Sequence, residues 1–179
     1  MKWSIEITDD LEEKQKWGQA IRELKQRWIA NKGIKEAIKL GFLCWYVIVE
    51  EHCINIGDVD IEDAKENLKY ITKYSIEAYS ANIDFLWIYG YMISMFPEQF
   101  ESLGDYLSVH QIGIDMITKA HMLRPDDSII ELIYMGSKKI EDINKYEQVC
   151  KKVIPLLEEK FDGIGIMSAY FKEVLNRCK

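Results

Sequence analysis

Apolar residues recur along this chain mostly at helical spacing. Leu11, Trp17, Ile21, Leu24 and Trp28 share one helical face while Glu12, Glu13, Lys16, Arg22 and Lys25 fall elsewhere. This predicts a first helix capped by Asp9 or Asp10 and ended by Gly33. A second, from Ile34 to about Cys53, is apolar on nearly every side after Lys39 and is expected to be the buried central element. After a loop over 54–59, Asp60 opens a third helix. Asp63 follows three residues on, a capping-box variant whose acids also oppose the helix dipole. Asn82 opens a fourth over Ile83–Phe96, stopped by Pro97, in which Gly90 would let another helix approach closely.

A fifth helix is expected over Leu103–Leu123, up to Arg124-Pro125, and a sixth over Ser128–Lys139. A seventh runs from about Glu141 to Phe161, kinked or restarted by Pro155, and a last over Ile166–Cys178 follows Gly163 and Gly165. Strand-like alternation occurs only at the start, where Trp3, Ile5 and Ile7 alternate with Lys2, Ser4 and Glu6. Residues 1–8 are therefore expected to be an extended arm or one short strand, with no second strand to pair with. The pattern as a whole predicts an all-α protein: about eight helices in a single helical-repeat-like or irregular bundle domain over residues 1–179.

Charge changes this picture more than composition does. Tyr74 to Thr118 is 45 residues without a lysine or arginine, yet it holds six acids and nine of the 21 aromatic residues. Over Glu50–Thr118 the net charge is −10, against +3 for the remainder, so the overall −7 belongs to the middle of the chain. An acidic, aromatic-rich middle repels nucleic acid and anionic lipid and attracts basic proteins. The expected partner-binding residues are the acids bracketing the fourth helix: Asp58, Asp60, Glu62, Asp63 and Glu66 on one side, Glu98, Glu101 and Asp105 on the other. Tyr106 joins them, since tyrosine beside carboxylates holds Lys or Arg well.

No catalytic or metal motif stands out. Glu50-Glu51-His52-Cys53 is dense in ligand types, but neighbours on a helix point in different directions, and no Glu-x-x-His or His-x-x-x-His spacing occurs. The acids from Asp58 fail as a calcium loop, because Asp63 stands where the sharp turn needs glycine and Lys69 where the last ligand belongs. Gly163-Ile-Gly165 lacks both the preceding strand and the third glycine of a nucleotide loop. His110 and His121 have no nucleophile placed beside them by a motif. The expectation is no catalytic residue, no metal and no cofactor. Cys44, Cys53, Cys150 and Cys178 show no CxxC spacing and read as free, mostly buried thiols. The residues after Met1 lack a signal peptide's apolar core, and the longest apolar run, Gly41–Val49, is far short of the roughly 20 residues that span a bilayer. A cytoplasmic location is expected.

Ala120-His-Met-Leu-Arg-Pro125, with Gly113 and Ile117 before it, resembles the end of a tetratricopeptide repeat. Trp87, Gly90 and Tyr91 are similar to that family's first-helix pattern at a shortened spacing. The resemblance implies a degenerate helical repeat whose business is binding a protein or peptide. In size, acidity and helical content the chain is also similar in general character to bacterial immunity proteins, which neutralise a cognate toxin by direct binding. The leading expectation is thus a non-enzymatic module of that kind, facing a basic, nuclease-type toxin. The alternatives are a tetratricopeptide-like adaptor and an enzyme with an unrecognised helical site.

Overall fold

A computed structural model describes residues 3–176, and among these every regular element is helical. The α-helices are α1 (Glu6–Glu13), α2 (Trp17–Asn31), α3 (Ile34–Val49), α4 (Ile61–Ala78), α5 (Ile83–Met95), α6 (Tyr106–Leu123), α7 (Ser128–Gly136), α8 (Ile143–Val153), α9 (Leu157–Lys160) and α10 (Ile166–Leu175). Segments of 3-10 helix lie at Pro97–Leu103 and Ile154–Leu156. Contacts gather the residues into two compact units. The first holds residues up to Ser80 with Gly163–Ala169, the second Ala81–Asp162 with the residues from Tyr170. Ser80, Ala81 and Asn82 carry no proline or glycine, so the chain shows no linker where the first unit gives way to the second.

In the first unit, α1, α2, α3 and α4 pack in chain order. The expected N-terminal arm is helical from Glu6 onward. Asp9 reaches back to accept from the Ile5 N–H (3.1 Å) and the Ser4 hydroxyl (2.6 Å), which satisfies the start of α1 as a capping box does. The single helix expected before Gly33 is two, because Gln15 takes a left-handed backbone (φ 54°) between them. The first turn of α2 has no side-chain cap of its own. It is capped from outside by Asp58, whose carboxylate accepts from the N–H groups of Gly18 (2.9 Å) and Gln19 (3.0 Å). Gly18 is needed there, since a Cβ would collide with the Asp58 carbonyl. Residues Ala37 through Trp45 of α3 are buried without a break, as a central helix requires. The helix stops at Val49, four residues short of the expected end.

In the second unit, α5 and α6 lie against each other at two glycines. A Cβ on Gly90 would sit 2.9 Å from the Gly113 carbonyl, and one on Gly113 would sit 2.6 Å from the Ser94 nitrogen. Ile117 and Ala120 of α6 are buried along the same helix. Trp87 of α5 meets Phe171 edge-on (centroids 5.0 Å), Phe171 stacks on Phe161 (5.5 Å), and the Tyr91 and Tyr170 hydroxyls bond at 3.0 Å. These rings make the unit's aromatic core. Pro155 breaks the expected seventh helix into α8, a 3-10 turn and α9. The fifth helix starts at Tyr106 because Asp105 caps it, and the residues before Gly104 form the 3-10 segment instead.

The α5–α6 contact leaves no space for a methyl group. Gly113→Ala is expected to cost about 1–3 kcal/mol of stability, read as a lowered urea midpoint, with Gly136→Ala, in open space, as the control.

Candidate functional site

The acids singled out in the sequence divide between the units: Asp58 to Glu66 belong to the first, Glu98 to Tyr106 to the second. They also divide by what they do. Asp58 caps α2 and lies 4.0 Å from Arg22. Asp60 caps α4, accepting from the N–H groups of Glu62 (3.0 Å) and Asp63 (3.1 Å). Asp63 accepts from Asn67, and Glu62 and Glu66 pair with Lys65 (2.6 Å) and Lys69 (3.7 Å) one turn on. The first segment is thus engaged in the fold or in local ion pairs.

The second segment is different. Glu98, Glu101 and Asp105 are exposed, and among the described residues none of them makes an ion pair. The 3-10 segment carrying Glu98 and Glu101 packs on α6. Asp105 opens that helix, accepting from the Leu107 and Ser108 N–H groups (both 3.1 Å) and the Ser108 hydroxyl (2.7 Å). The bonds from the Ser108 side chain and backbone hold its carboxyl below the usual carboxylate range. Directly after it, Tyr106 and Leu107 are 59 % and 76 % exposed. Carboxylates without counter-ions beside exposed rings and aliphatic groups can receive Lys or Arg side chains and cover apolar surface together.

Elsewhere the middle's charge is quieter. Asp84 is buried, accepts from the Trp87 indole (3.3 Å) and lies 3.6 Å from Lys160, while Asp115 accepts from Gln111 (2.8 Å). His52 is exposed, and His121 stacks on Tyr134 (centroids 4.4 Å). Among the described residues no group of three His, Cys, Asp or Glu side chains could hold a metal ion. Among them too, no helix is long and apolar enough to cross a membrane. No family model matches the chain, and no curated protein and no solved structure matches it either.

One cluster carries no motif in the sequence. Lys39, 3 % exposed within the apolar run of α3, donates to Asp9 of α1 and lies 3.7 Å from Glu12 of the same helix. Glu12 also accepts from the Ile166 N–H (2.7 Å) at the start of α10. A Cβ on Gly165 would stand 2.7 Å from both carboxylates, so glycine lets the backbone close on them. The glycine-rich turn therefore faces two acids, which leaves a phosphate no place there. All three ionic groups are sealed from solvent, which makes the cluster structural. The signal in the sequence was a lone lysine inside an otherwise apolar stretch.

The cysteines differ from one another. Cys44 is free and buried, its thiol pushed up by burial, and Cys53 is free and exposed. Cys150 is disulfide-bonded, contrary to the expectation of free thiols, and Cys178 lies outside the described residues. Spacing alone could not show this, since bridged cysteines need only be close in space.

Both the Asp58 cap and the buried cluster have measurable consequences for stability. Asp58→Ala is expected to cost about 1–2 kcal/mol, measured by urea unfolding, because the cap of α2 is lost. Burial raises the Glu12 carboxyl above its ordinary value, with Lys39 opposing. The folded state therefore holds the Glu12 proton more tightly than the unfolded state. Its contribution is full below the ordinary carboxylate pKa and is lost as pH rises through the folded-state value. Glu12→Gln keeps the acceptor for Ile166, so the variant should gain on the wild type with rising pH, and unfolding midpoints across pH 4–8 check it.

Proposed function

We propose that this chain is a non-enzymatic binding protein that presents Glu98, Glu101, Asp105 and Tyr106 to a basic protein. In its sharpest form the proposal is an immunity protein acting in the cytoplasm on a cognate basic, nuclease-type toxin. The observation that carries it is that Glu98 and Glu101 are exposed and make no ion pair among the described residues, beside exposed Tyr106 and Leu107, whereas Glu62 and Glu66 pair with lysines and Asp58, Asp60 and Asp105 cap helices. Such an edge attracts a cationic surface at long range and offers it a hydrophobic anchor on contact. Complementary charge alone raises association rates by roughly ten- to a thousandfold.

A second reading has its own support. The glycine contact between α5 and α6, with Ile117 and Ala120 buried beyond it and Pro125 after the helix, is the packing logic of a helical-repeat adaptor. In that reading the partner is a peptide or protein chosen by an apolar groove, and salt affects binding little.

The experiment is co-expression with the product of the gene immediately upstream, followed by titration of the purified pair. Rescue of growth and salt-sensitive binding support the immunity reading. Glu98→Lys with Glu101→Lys is expected to weaken binding at least about a hundredfold, equivalent to roughly 3 kcal/mol, while leaving the unfolding midpoint within about 0.5 kcal/mol of wild type. Equal affinity of the double variant at low salt would sink the proposal. For action in a reducing compartment the Cys150 disulfide must be dispensable, so binding is expected to be the same with and without dithiothreitol.

A further inference from the structure

The C-terminal end of α2 carries a feature that neither the fold nor the proposed partner edge uses. Lys32 closes that helix with a left-handed backbone (φ 50°, ψ 34°), a conformation that glycine adopts without steric cost. Glycine is next in the chain, yet Gly33 is extended (φ −69°) and the lysine takes the demanding position. Its ammonium stands 3.7 Å from the centre of the Trp28 ring and 5.4 Å from that of Tyr74. Tyr70 and Tyr74 both meet Trp28 edge-on, at 5.6 and 5.1 Å, and Tyr79 meets Tyr74 at 5.9 Å. The Tyr79 hydroxyl donates to the Lys32 carbonyl (2.7 Å), fixing the backbone from which the side chain reaches back.

The polar surroundings of that ammonium narrow the chemistry. Among the described residues it makes no hydrogen bond and no ion pair, so ring faces are what hold it. A primary ammonium in such a place leaves its N–H donors to water. A quaternary ammonium has none to leave, is weakly hydrated, and is the cation that aromatic faces bind best. Access is present as well. Trp28 is fully buried, but Lys32 on its face is exposed and Tyr70 is 56 % exposed.

We propose that Trp28 and Tyr74 form an ammonium-binding aromatic site in the first unit, filled in cis by Lys32, and that a quaternary methylammonium head takes Lys32's place. Lys32 is then a tethered competitor whose withdrawal opens the site. The same head group occurs on trimethylated lysine and on choline-like small molecules, and the test separates these sources.

Lys32→Gly removes the competitor and relieves the left-handed residue together, so the variant keeps its fold. Binding of choline chloride and of a short peptide bearing trimethyllysine is measured by calorimetry, with uncharged 3,3-dimethylbutanol as the isosteric control. The variant is expected to bind the quaternary ligands at least about tenfold more tightly than wild type and than it binds the neutral alcohol. Adding Tyr74→Leu, which keeps an apolar side chain without the ring, should lose that gain. Tighter binding of the peptide assigns the site to a protein partner, tighter binding of choline to a small molecule. A folded Lys32→Gly variant that binds quaternary ammonium no better than the alcohol overturns the proposal. Should the glycine variant lose helicity, Lys32→Ala replaces it in the same titrations, with the same gain expected and the same failure decisive.

Discussion

A lysine buried between two carboxylates organises the first unit. Lys39, Asp9 and Glu12 are each at most 3 % exposed, and taking such charges out of water is costly unless every one is met by a partner. The partners come from three places: Asp9 and Glu12 from α1, Lys39 from the middle of α3, and the Ile166 N–H from α10. Removing Lys39 would leave both carboxylates buried and unmatched, a loss of about 3–5 kcal/mol in comparable systems. The apolar packing of α2, α3 and α4 would tolerate some sliding; directional ionic contacts would not. The cluster thus fixes where α1 lies, and with it the first residues of the described chain.

The acids of the middle show how charge counted along a sequence differs from charge available to a partner. Asp58 and Asp60 serve backbone N–H groups, Glu62 and Glu66 face lysines a turn away, and Asp84 is buried against Lys160. Glu98 and Glu101, just before α6, make no ion pair among the described residues, and the same holds for Glu50, Glu51 and Glu77. The pair before α6 is small, but it adjoins exposed Tyr106 and Leu107, and affinity comes from such anchors more than from total charge.

Much of the helical order was legible because its signals are local. Asp60 and Asn82 stand immediately before the helices they cap, and Pro97 and Pro155 stand where helices break. Burial of α3 was legible because an apolar run on all faces has no other explanation. The split between α1 and α2 was hidden, since nothing about Gln15 announces a left-handed residue. The cap of α2 was hidden for a different reason: it comes from Asp58, 40 residues away in sequence. At the candidate edge, residue types could be read but exposure could not. The same alphabet produced Asp58, a structural cap, and Glu101, a carboxylate facing solvent.

The bond between Glu12 and the Ile166 N–H joins residues 154 positions apart. For a chain made from its N-terminus at 5–20 residues per second, the first helix therefore waits roughly 8–30 s for the amide that receives its carboxylate. Until then Asp9, Glu12 and Lys39 can pair with one another but cannot be closed over by the Gly165 turn. Completion of the first unit therefore follows synthesis of the residues around Ile166. A contact this distant in sequence closes the charged interior only after the second unit's main segment has been made.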